Sequence, residues 1–209
     1  MHVFIVYTHP SKDSFTKTVC DEFVKGLKDA GNTYEISDLY EMGFNPEMSE
    51  SEYYRESNYR FDLPIPNDVI KEQEKINRCD AIVFIYPVFW TEAPAKLVGW
   101  FDRVWTYGFA YGERTMKKLT KAQFICIAGN TMEMLNQFGH IKSMETVMLG
   151  DRIFDRALES KMIVLDGMTK ENYNQRNSNW EKHLKTVYDA GRTIFFNCIN
   201  MLYKLEEKK

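Results

Sequence analysis

The sequence predicts an α/β fold, a three-layer sandwich whose helices cover both faces of a five-stranded parallel sheet. Short apolar runs alternate with helical patterns along the 209 residues, an order typical of βαβ units. The runs at residues 3–6 and 82–85 are apolar at every position, as expected of strands that are buried on both faces. We therefore expect a single domain over residues 1–209.

The predicted strands are short and rich in β-branched and aromatic residues. They cover residues 2–8, 34–39, 81–86, 124–128 and 162–165. In the first predicted helix an apolar side chain recurs every four residues from Phe15 to Leu27, and Gly31 is its predicted stop. Pro94 suits the first turn of a later helix. The apolar stripe of that helix is Leu97, Val98, Phe101, Val104 and Trp105.

Three further segments have distinct patterns. Ser178 and Glu181 have the spacing of a capping box, which predicts a long last helix over about residues 178–205. Residues 45–68 form an insertion with several prolines and tyrosines; loops longer than about 15 residues are usually functional or disordered. The aromatic side chains of the insertion favour a partner or rim contact. In residues 130–150, Gly139 and Gly150 interrupt any single helix.

Composition and charge argue against several classes of function. A formal charge of -3 and a pI of about 5.9 give no general attraction for nucleic acid, and the cluster Lys117, Lys118 and Lys121 is interpreted as a solvated rim. No apolar run approaches the roughly twenty residues of a membrane span. Met1 leads almost directly into the first strand without a secretory leader, so we expect a cytoplasmic protein.

The cysteines are widely spaced and form no CxxC pair. They are Cys20, Cys79, Cys126 and Cys198. In a cytoplasmic chain such residues are more often buried thiols than disulfides. We expect neither a disulfide nor a metal site.

The most informative segment is residues 86–96, with the sequence YPVFWTEAPAK. It follows a predicted strand, and ligands of open α/β sheets bind at the carboxyl ends of the strands. A loop that carries Pro87, Phe89, Trp90 and Pro94 is stiff and aromatic, so it suits one face of a flat conjugated ring. We interpret it as part of a flavin site.

A second loop, residues 9–16, joins the first strand to the first helix. Helix N-termini offer unpaired N–H groups and a positive dipole end, and His9, Ser14 and Thr16 add side-chain donors, so the loop is a candidate phosphate seat. The alternative is that Ser14 or Asp13 merely caps the helix. Neither GxGxxG nor GxxxxGK[ST] occurs here, which disfavours a classical dinucleotide fold and a P-loop.

A third loop, Gly129, Asn130 and Thr131, follows the fourth predicted strand. In a flavodoxin-like strand order of 2-1-3-4-5, strands one, three and four are neighbours. Their loops then converge on one crevice, with a ring between residues 87–90 and 129–131 and its phosphate tail at residues 9–16.

Several separated motifs resemble one protein family. The segments DLY at 38–40, FNP at 44–46, YPVFWTEAPAKLVGWFDRVW at 86–105 and GFAY at 108–111 are similar to the flavodoxin-fold NAD(P)H:quinone oxidoreductases of the DT-diaphorase and modulator of drug activity B group, of flavodoxin-2 type. Residues 9–16 resemble that family's HxxxxSFN phosphate loop, with Thr16 in place of Asn. The resemblance covers residues 2–165 in matching order.

The resemblance implies a homodimeric flavoprotein that reduces quinones by two electrons in a ping-pong cycle with NAD(P)H as co-substrate. FAD is expected rather than FMN, because longer relatives with a DLYxMxFNP segment tend toward FAD. The implied phosphate ligands are His9, Ser14, Phe15 and Thr16. The residues implied to flank the isoalloxazine are Pro87, Val88, Phe89, Trp90, Gly129, Asn130 and Thr131.

The resemblance also implies three catalytic candidates. Trp90 is expected to form a stacking wall for the substrate, and Tyr111 to reach the substrate pocket across the dimer. His140 is a candidate donor near the flavin N1 and O2 atoms, because the family places a histidine after the fourth strand. This chain departs from the family there, since it lacks the two-glycine turn and the following Tyr; His140 could equally be a surface or capping residue.

Two other functions stay open. An electron-carrier flavodoxin would pass single electrons to a protein partner, but the small net charge and the scarcity of hydroxyl groups and glycines in the first loop disfavour it. A regulatory ancillary subunit could use the insertion and the last helix for docking. A phospho-receiver domain would need an acidic cluster where the chain has His9, so it is excluded.

Overall fold

The computed structural model describes residues 1–171 and 173–196. Its parallel sheet has the order β2-β1-β3-β4-β5, which confirms the predicted α/β class and topology. The strands are β1 (His2–Tyr7), β2 (Thr33–Asp38), β3 (Ala81–Pro87), β4 (Leu119–Ile127) and β5 (Ala157–Leu165).

Helices cover both faces of the sheet. They are α1 (Phe15–Asp29), α2 (Glu50–Ser57), α3 (Asn67–Arg78), α4 (Ala95–Val104), α5 (Met132–Gln137), α6 (His140–Glu145) and α7 (Tyr173–Arg192), and a π-helical segment, Thr146–Ile153, follows α6. Gly139 separates α5 from α6 with a φ of 72°, as predicted. Gly150 lies inside the π-helical segment, so the prediction that it interrupts a helix was wrong.

The predicted strands were accurate for β1, β2 and β3 and too short for β4 and β5. Both β4 and β5 begin five residues before the predicted runs, because their first halves carry polar side chains. Lys121 and Glu159 pair across the two strands at 3.0 Å, which accounts for polar residues in this part of the ladder. An apolar run therefore marks only the buried portion of each strand.

Aromatic packing fills the layer between the sheet and α4. Phe84 stacks on Phe124 with 4.8 Å between ring centroids, and Trp100 is fully buried beside Phe84. On the other face α1 and α7 are in direct backbone contact: a Cβ added at Gly191 would lie 2.3 Å from the Phe23 carbonyl oxygen. The close approach of these two helices therefore requires glycine.

The start of the last helix was predicted wrongly. Helix α7 begins at Tyr173, five residues before Ser178. Ser178 lies within the first turns, where its hydroxyl donates to the Gln175 carbonyl oxygen at 2.9 Å, so it does not cap the helix. Cys198 and the end of the predicted helix, residues 197–205, lie outside the described residues. Cys20, Cys79 and Cys126 are buried free thiols, as predicted.

The insertion at residues 45–68 is ordered and contains α2. Arg103, which is 5% exposed, binds three points along it: the Asn45 carbonyl oxygen at 2.7 Å, Glu52 at 2.7 Å and Asp68 at 2.6 Å. Because one buried guanidinium holds both ends and the middle of the insertion, the segment is a fixed part of the domain. Its exposed aromatic side chains are Tyr53, Tyr54, Tyr59 and Phe61.

Candidate active site

Three loops begin side by side at the carboxyl edge of the sheet. The Thr8 N–H donates to the Ile85 carbonyl oxygen at 3.0 Å, and the Val88 N–H donates to the Ile127 carbonyl oxygen at 2.8 Å. The loops after β1, β3 and β4 therefore begin at the same level on neighbouring strands. The adjacency follows from the predicted strand order, and a crevice shared by the three loops stays a prediction.

The loop after β1 ends at a capped helix. Ser14 is the N-cap of α1, and its hydroxyl accepts the Lys17 N–H at 3.1 Å. The N–H groups of Phe15 and Thr16 lie before the first intrahelical hydrogen bonds, and no acidic residue occupies the first turn. Phe15 is half-buried and Thr16 is only 2% exposed, so the Phe15 end of the turn is the more accessible to an anion. Capping and anion binding are compatible here.

His9 is held against the backbone of Ser11. Its Nδ1 atom lies 2.9 Å from the Ser11 nitrogen and 3.0 Å from the Ser11 carbonyl oxygen, so it accepts from the nitrogen in one tautomer and donates to the oxygen in the other. Burial lowers the pKa of His9, against a smaller opposing effect of the Ser11 contact. The neutral ring carries one N–H, on Nδ1 or on Nε2, in the loop that leads into α1.

An aromatic cluster adjoins the first turn of α1. The Phe15 ring lies 4.3 Å from the Trp180 ring, centroid to centroid, and the Arg176 guanidinium lies 5.1 Å from the Trp180 centroid. The Arg176 Nε–H is buried and has no hydrogen-bond partner among the residues that the structure describes. All three side chains are half-buried, so the cluster is open to a ligand on one side.

The loop after β3 presents Trp90 to solvent. The backbone groups of Phe89 and Glu92 bond to each other at 2.8 and 2.9 Å, and the two residues between them have positive φ, 52° for Trp90 and 66° for Thr91. Residues other than glycine rarely adopt positive φ, and each one that does costs about 1–3 kcal/mol of folding free energy. The turn holds the indole fully exposed, at 100%, while Phe89 is half-exposed and Pro87 is buried.

The loop after β4 is short and anchored from β5. Gly129 and Asn130 are exposed, and the Thr131 hydroxyl accepts the Met134 N–H at 3.4 Å as the N-cap of α5. The Asp166 carboxylate accepts the Met132 N–H at 2.8 Å. The loop therefore sits rigidly opposite the Trp90 turn at the carboxyl edge.

The catalytic candidates occupy different surroundings. His140 is the first residue of α6, and its ring lies 5.8 Å from the Phe138 ring. This contact does not connect His140 to any of the three loops. Tyr111 donates its hydroxyl to Glu56 at 2.8 Å. Burial, followed by the bond to Glu56, raises the pKa of Tyr111, so its phenol is protonated at neutral pH and its one O–H is bound by Glu56.

Sequence reasoning missed several partners of these side chains. Glu56 lies in the insertion, 55 residues before Tyr111, and no local pattern links the two. The fully buried Thr8 hydroxyl, which finds no hydrogen-bond partner in the described part of the chain, also escaped notice. A polar residue at the end of an apolar strand was the available signal for Thr8.

Residues 1–171 and 173–196 contain neither a metal-binding cluster nor a membrane-spanning helix. There, no group of three or more His, Cys, Asp or Glu side chains is arranged to hold a metal ion. Within the same ranges, none of the helices combines the length and the apolar character needed to cross a bilayer.

The 2-1-3-4-5 sheet, with ligand-facing loops after β1, β3 and β4, defines the flavodoxin-like class of α/β proteins. Residues 1–184 match Flavodoxin_2, a family with a flavodoxin-like fold, and the chain belongs to this family.

Similar proteins are oxidoreductases by name. An NAD(P)H:quinone oxidoreductase from Methanothermobacter marburgensis is 45% identical, with a TM-score of 0.87 over 93% of this chain and 96% of that one. An uncharacterized NAD(P)H oxidoreductase from Haemophilus influenzae is 33% identical over 156 residues, 71% of this chain and 75% of that protein. The resemblance stated from the motifs is thus confirmed.

A mammalian relative is longer. NAD(P)H dehydrogenase (quinone) 1 from Rattus norvegicus is 34% identical over 125 residues, which cover 54% of this chain and 46% of the rat protein. The match therefore spans about half the length of that relative.

Proposed function

We propose that the chain is a flavin-dependent NAD(P)H:quinone oxidoreductase that reduces quinones, or similar flat acceptors, by two electrons in a ping-pong cycle. The observation that carries the proposal is the Trp90 turn: a fully exposed indole, held in a strained backbone, on a loop that starts next to the loop leading into α1. The exposed indole does not contribute to packing in the core, but it can stack on a flat conjugated ring.

The donor set of the crevice fits a flavin. The first-turn N–H groups of Phe15 and Thr16, the Ser14 hydroxyl and His9, in its Nε2–H tautomer, would hold the phosphate. Pro87, Val88 and Phe89 would line one side of the isoalloxazine, and the exposed backbone of residues 129–131 the other. When bound, the flavin accepts hydride from NAD(P)H and delivers two electrons to the quinone.

The protein contributes positioning and hydrogen-bond donors. Trp90 forms a wall for the nicotinamide and then for the quinone, which use the site in turn. Tyr111 would border the substrate pocket with its ring and its hydroxyl oxygen, because its one O–H is donated to Glu56. His140 is retained as a candidate donor to the pyrimidine end of the flavin, although its contact with Phe138 offers no support for that role.

FAD is proposed over FMN. The cluster of Phe15, Trp180 and Arg176 lies directly beside the phosphate seat, and it is half-buried with one unpaired guanidinium N–H. Aromatic faces and a guanidinium suit a second flat ring beyond the phosphates. The adenine of FAD provides such a ring, and FMN does not.

A homodimer is also proposed. The insertion exposes four aromatic side chains on one rigid segment, at 52–65% of their surface, and apolar surface of this kind usually marks an interface. The GFAY loop is bonded to the same insertion through Glu56, so a partner docked there would lie beside Tyr111. Analytical ultracentrifugation tests this; a monomer at micromolar concentration would exclude it.

Reconstitution and steady-state kinetics test the proposed function. Flavin-free protein is mixed with FAD or FMN, passed through a desalting column, and assayed for retained flavin per chain. Retention of FAD and parallel double-reciprocal plots for NADPH and menadione are expected. Retention of neither flavin contradicts the proposal, and retention with negligible NADPH oxidation would point to a flavodoxin-type electron carrier.

A further inference from the structure

The Trp90 turn needs support from outside its own backbone. With Trp90 and Thr91 both at positive φ, the two backbone bonds between Phe89 and Glu92 close the turn but leave it strained. Strained backbone persists where the surrounding structure fixes it. The side chain of Glu92, at the end of the turn, can supply this support.

The Glu92 carboxylate has two partners. Its Oε1 atom accepts the Ala93 N–H at 2.8 Å, at the start of α4, and also accepts Arg152 Nη1–H at 3.2 Å. The Arg152 side chain is 13% exposed and the Glu92 side chain is 41% exposed. The ion pair is therefore shielded from water on the arginine side and open to it on the carboxylate side, so its strength is expected to lie between that of a buried pair and that of a surface pair.

Arg152 is itself held in place on several sides. Its guanidinium lies 4.8 Å from the centroid of the Phe101 ring, Nη1 lies 3.2 Å from Met148 Sδ, and its carbonyl oxygen accepts the Trp105 indole N–H at 2.7 Å. Its position near the end of a π-helical segment is notable, because π-helical turns occur often at functional sites.

The residues just after the π-helical segment contact the GFAY loop, residues 108–111. Arg156, four residues after Arg152, donates from Nε to the Ala110 carbonyl oxygen at 3.0 Å, and Ala110 immediately precedes Tyr111. Residues 152–156 thus connect the Trp90 turn to the GFAY loop.

We propose that Arg152 is a positioning residue, which fixes the Trp90 turn through Glu92 and thereby sets the shape of the acceptor site. This role goes beyond flavin binding. Its kinetic consequence rests on the function proposed above, whereas its structural consequence does not.

The test uses Arg152→Met, which removes the charge and keeps the length, with Arg152→Lys as the conservative variant. Arg78→Met is the matched control, because Arg78 pairs with Glu35 at 2.6 Å at the distant edge of the sheet. Each protein is labelled with 5-fluorotryptophan. The Trp90 fluorine resonance is assigned by its absence in Trp90→Phe, and the spectra need neither flavin nor substrate.

The Trp90 resonance is expected to shift or broaden in Arg152→Met, to recover partly in Arg152→Lys, and to stay unchanged in Arg78→Met. With flavin bound, the quinone KM of Arg152→Met is expected to rise about five- to tenfold, as for the loss of one ordinary hydrogen bond, with less change in kcat. An unchanged Trp90 resonance in folded Arg152→Met would overturn the proposal. A shifted resonance with no quinone reduction in any variant would leave the positioning role standing and refute the proposed function.

Discussion

The Tyr111 hydroxyl donates a hydrogen bond to Glu56 Oε2 at 2.8 Å. Glu56 also accepts the Tyr107 N–H at 2.7 Å and pairs with the buried Arg55. The Glu56 carboxylate therefore links the GFAY loop to the insertion. This arrangement fixes both the direction and the protonation of the Tyr111 side chain.

Tyr111→Phe is expected to raise the quinone KM and to cost about 1–2 kcal/mol of stability, the usual effect of removing a bond to a charged group. Because burial and Glu56 raise the pKa of Tyr111, the phenol stays protonated at and below its ordinary titration range near pH 10. Ionisation of Tyr111 should therefore cause no rise or fall of kcat/KM between about pH 6 and pH 9.

Tyr188→Phe is the control for Tyr111→Phe. Tyr188 makes an equivalent bond to Asp29 at 2.8 Å on the exposed side of α1 and α7. It should leave the quinone KM unchanged. Equal kinetic effects of the two variants would remove Tyr111 from the substrate pocket.

The two aromatic residues of the turn should separate in function. Trp90→Ala is expected to lower quinone turnover about tenfold while flavin is retained, because the indole makes no contact that holds the protein together and one aromatic contact is worth about 0.5–1.5 kcal/mol. Phe89→Ala is expected to weaken flavin retention more than turnover. Equilibrium dialysis with FAD and steady-state assays measure both, and the reverse ordering would make Trp90 a cofactor contact.

Ser14 is expected to have two roles that a matched variant separates. Ser14→Ala removes the cap of α1 and a hydroxyl of the phosphate seat, so stability should fall by about 1 kcal/mol and the flavin Kd should rise. Ser49→Ala removes the cap of α2, where Ser49 and Glu52 form a capping box, and should lower stability alone. A flavin Kd that is the same in the two variants would place the phosphate elsewhere.

The Arg103 contacts predict a dependence of stability on pH. Burial raises the pKa of Glu52 and of Asp68, but the hydrogen bonds to Ser49 and Arg103 outweigh it, so both pKa values lie below the ordinary 4.5 and 3.8. A carboxyl whose pKa is depressed in the folded state binds more protons when unfolded. Its stabilisation is complete above the unfolded pKa and is lost as the pH falls through the folded pKa.

Urea unfolding between pH 7 and pH 3 should therefore show stability falling below about pH 4.5. The fall should be shallower in Glu52→Gln with Asp68→Asn, which starts from a lower stability at pH 7. Glu50→Gln, an exposed change on the same helix, is the control and should keep the wild-type slope. A wild-type slope in the double variant would assign acid sensitivity to other carboxyls.

The sheet and the three loops were predictable because strands buried on both faces leave continuous apolar runs, as in residues 82–85. The conformation of the Trp90 turn was not, since neither Trp nor Thr favours positive φ and tertiary contacts impose it. The partners of the site were also hidden. Glu56 and Arg152 lie far in sequence from Tyr111 and Glu92, and only the fold brings each pair together.

The last helix shows a different limit. Ser178 and Glu181 have capping spacing, but the same spacing occurs inside helices, and the structure places Ser178 within α7. A capping pattern is informative where an irregular segment precedes it, as at Ser49. The pairing of Phe15 with Trp180 could not be derived from the sequence, because only the fold brings α1 and α7 side by side.

Anaerobic stopped-flow mixing tests the central claim most directly. The FAD-loaded protein is mixed with NADPH, and its visible flavin absorbance is followed before and after a quinone is added in a second mix. The account predicts rapid bleaching at a rate no slower than steady-state turnover, and full return of the band after one equivalent of quinone. A flavin that NADPH bleaches far more slowly than turnover, or that quinone does not reoxidise, would contradict it.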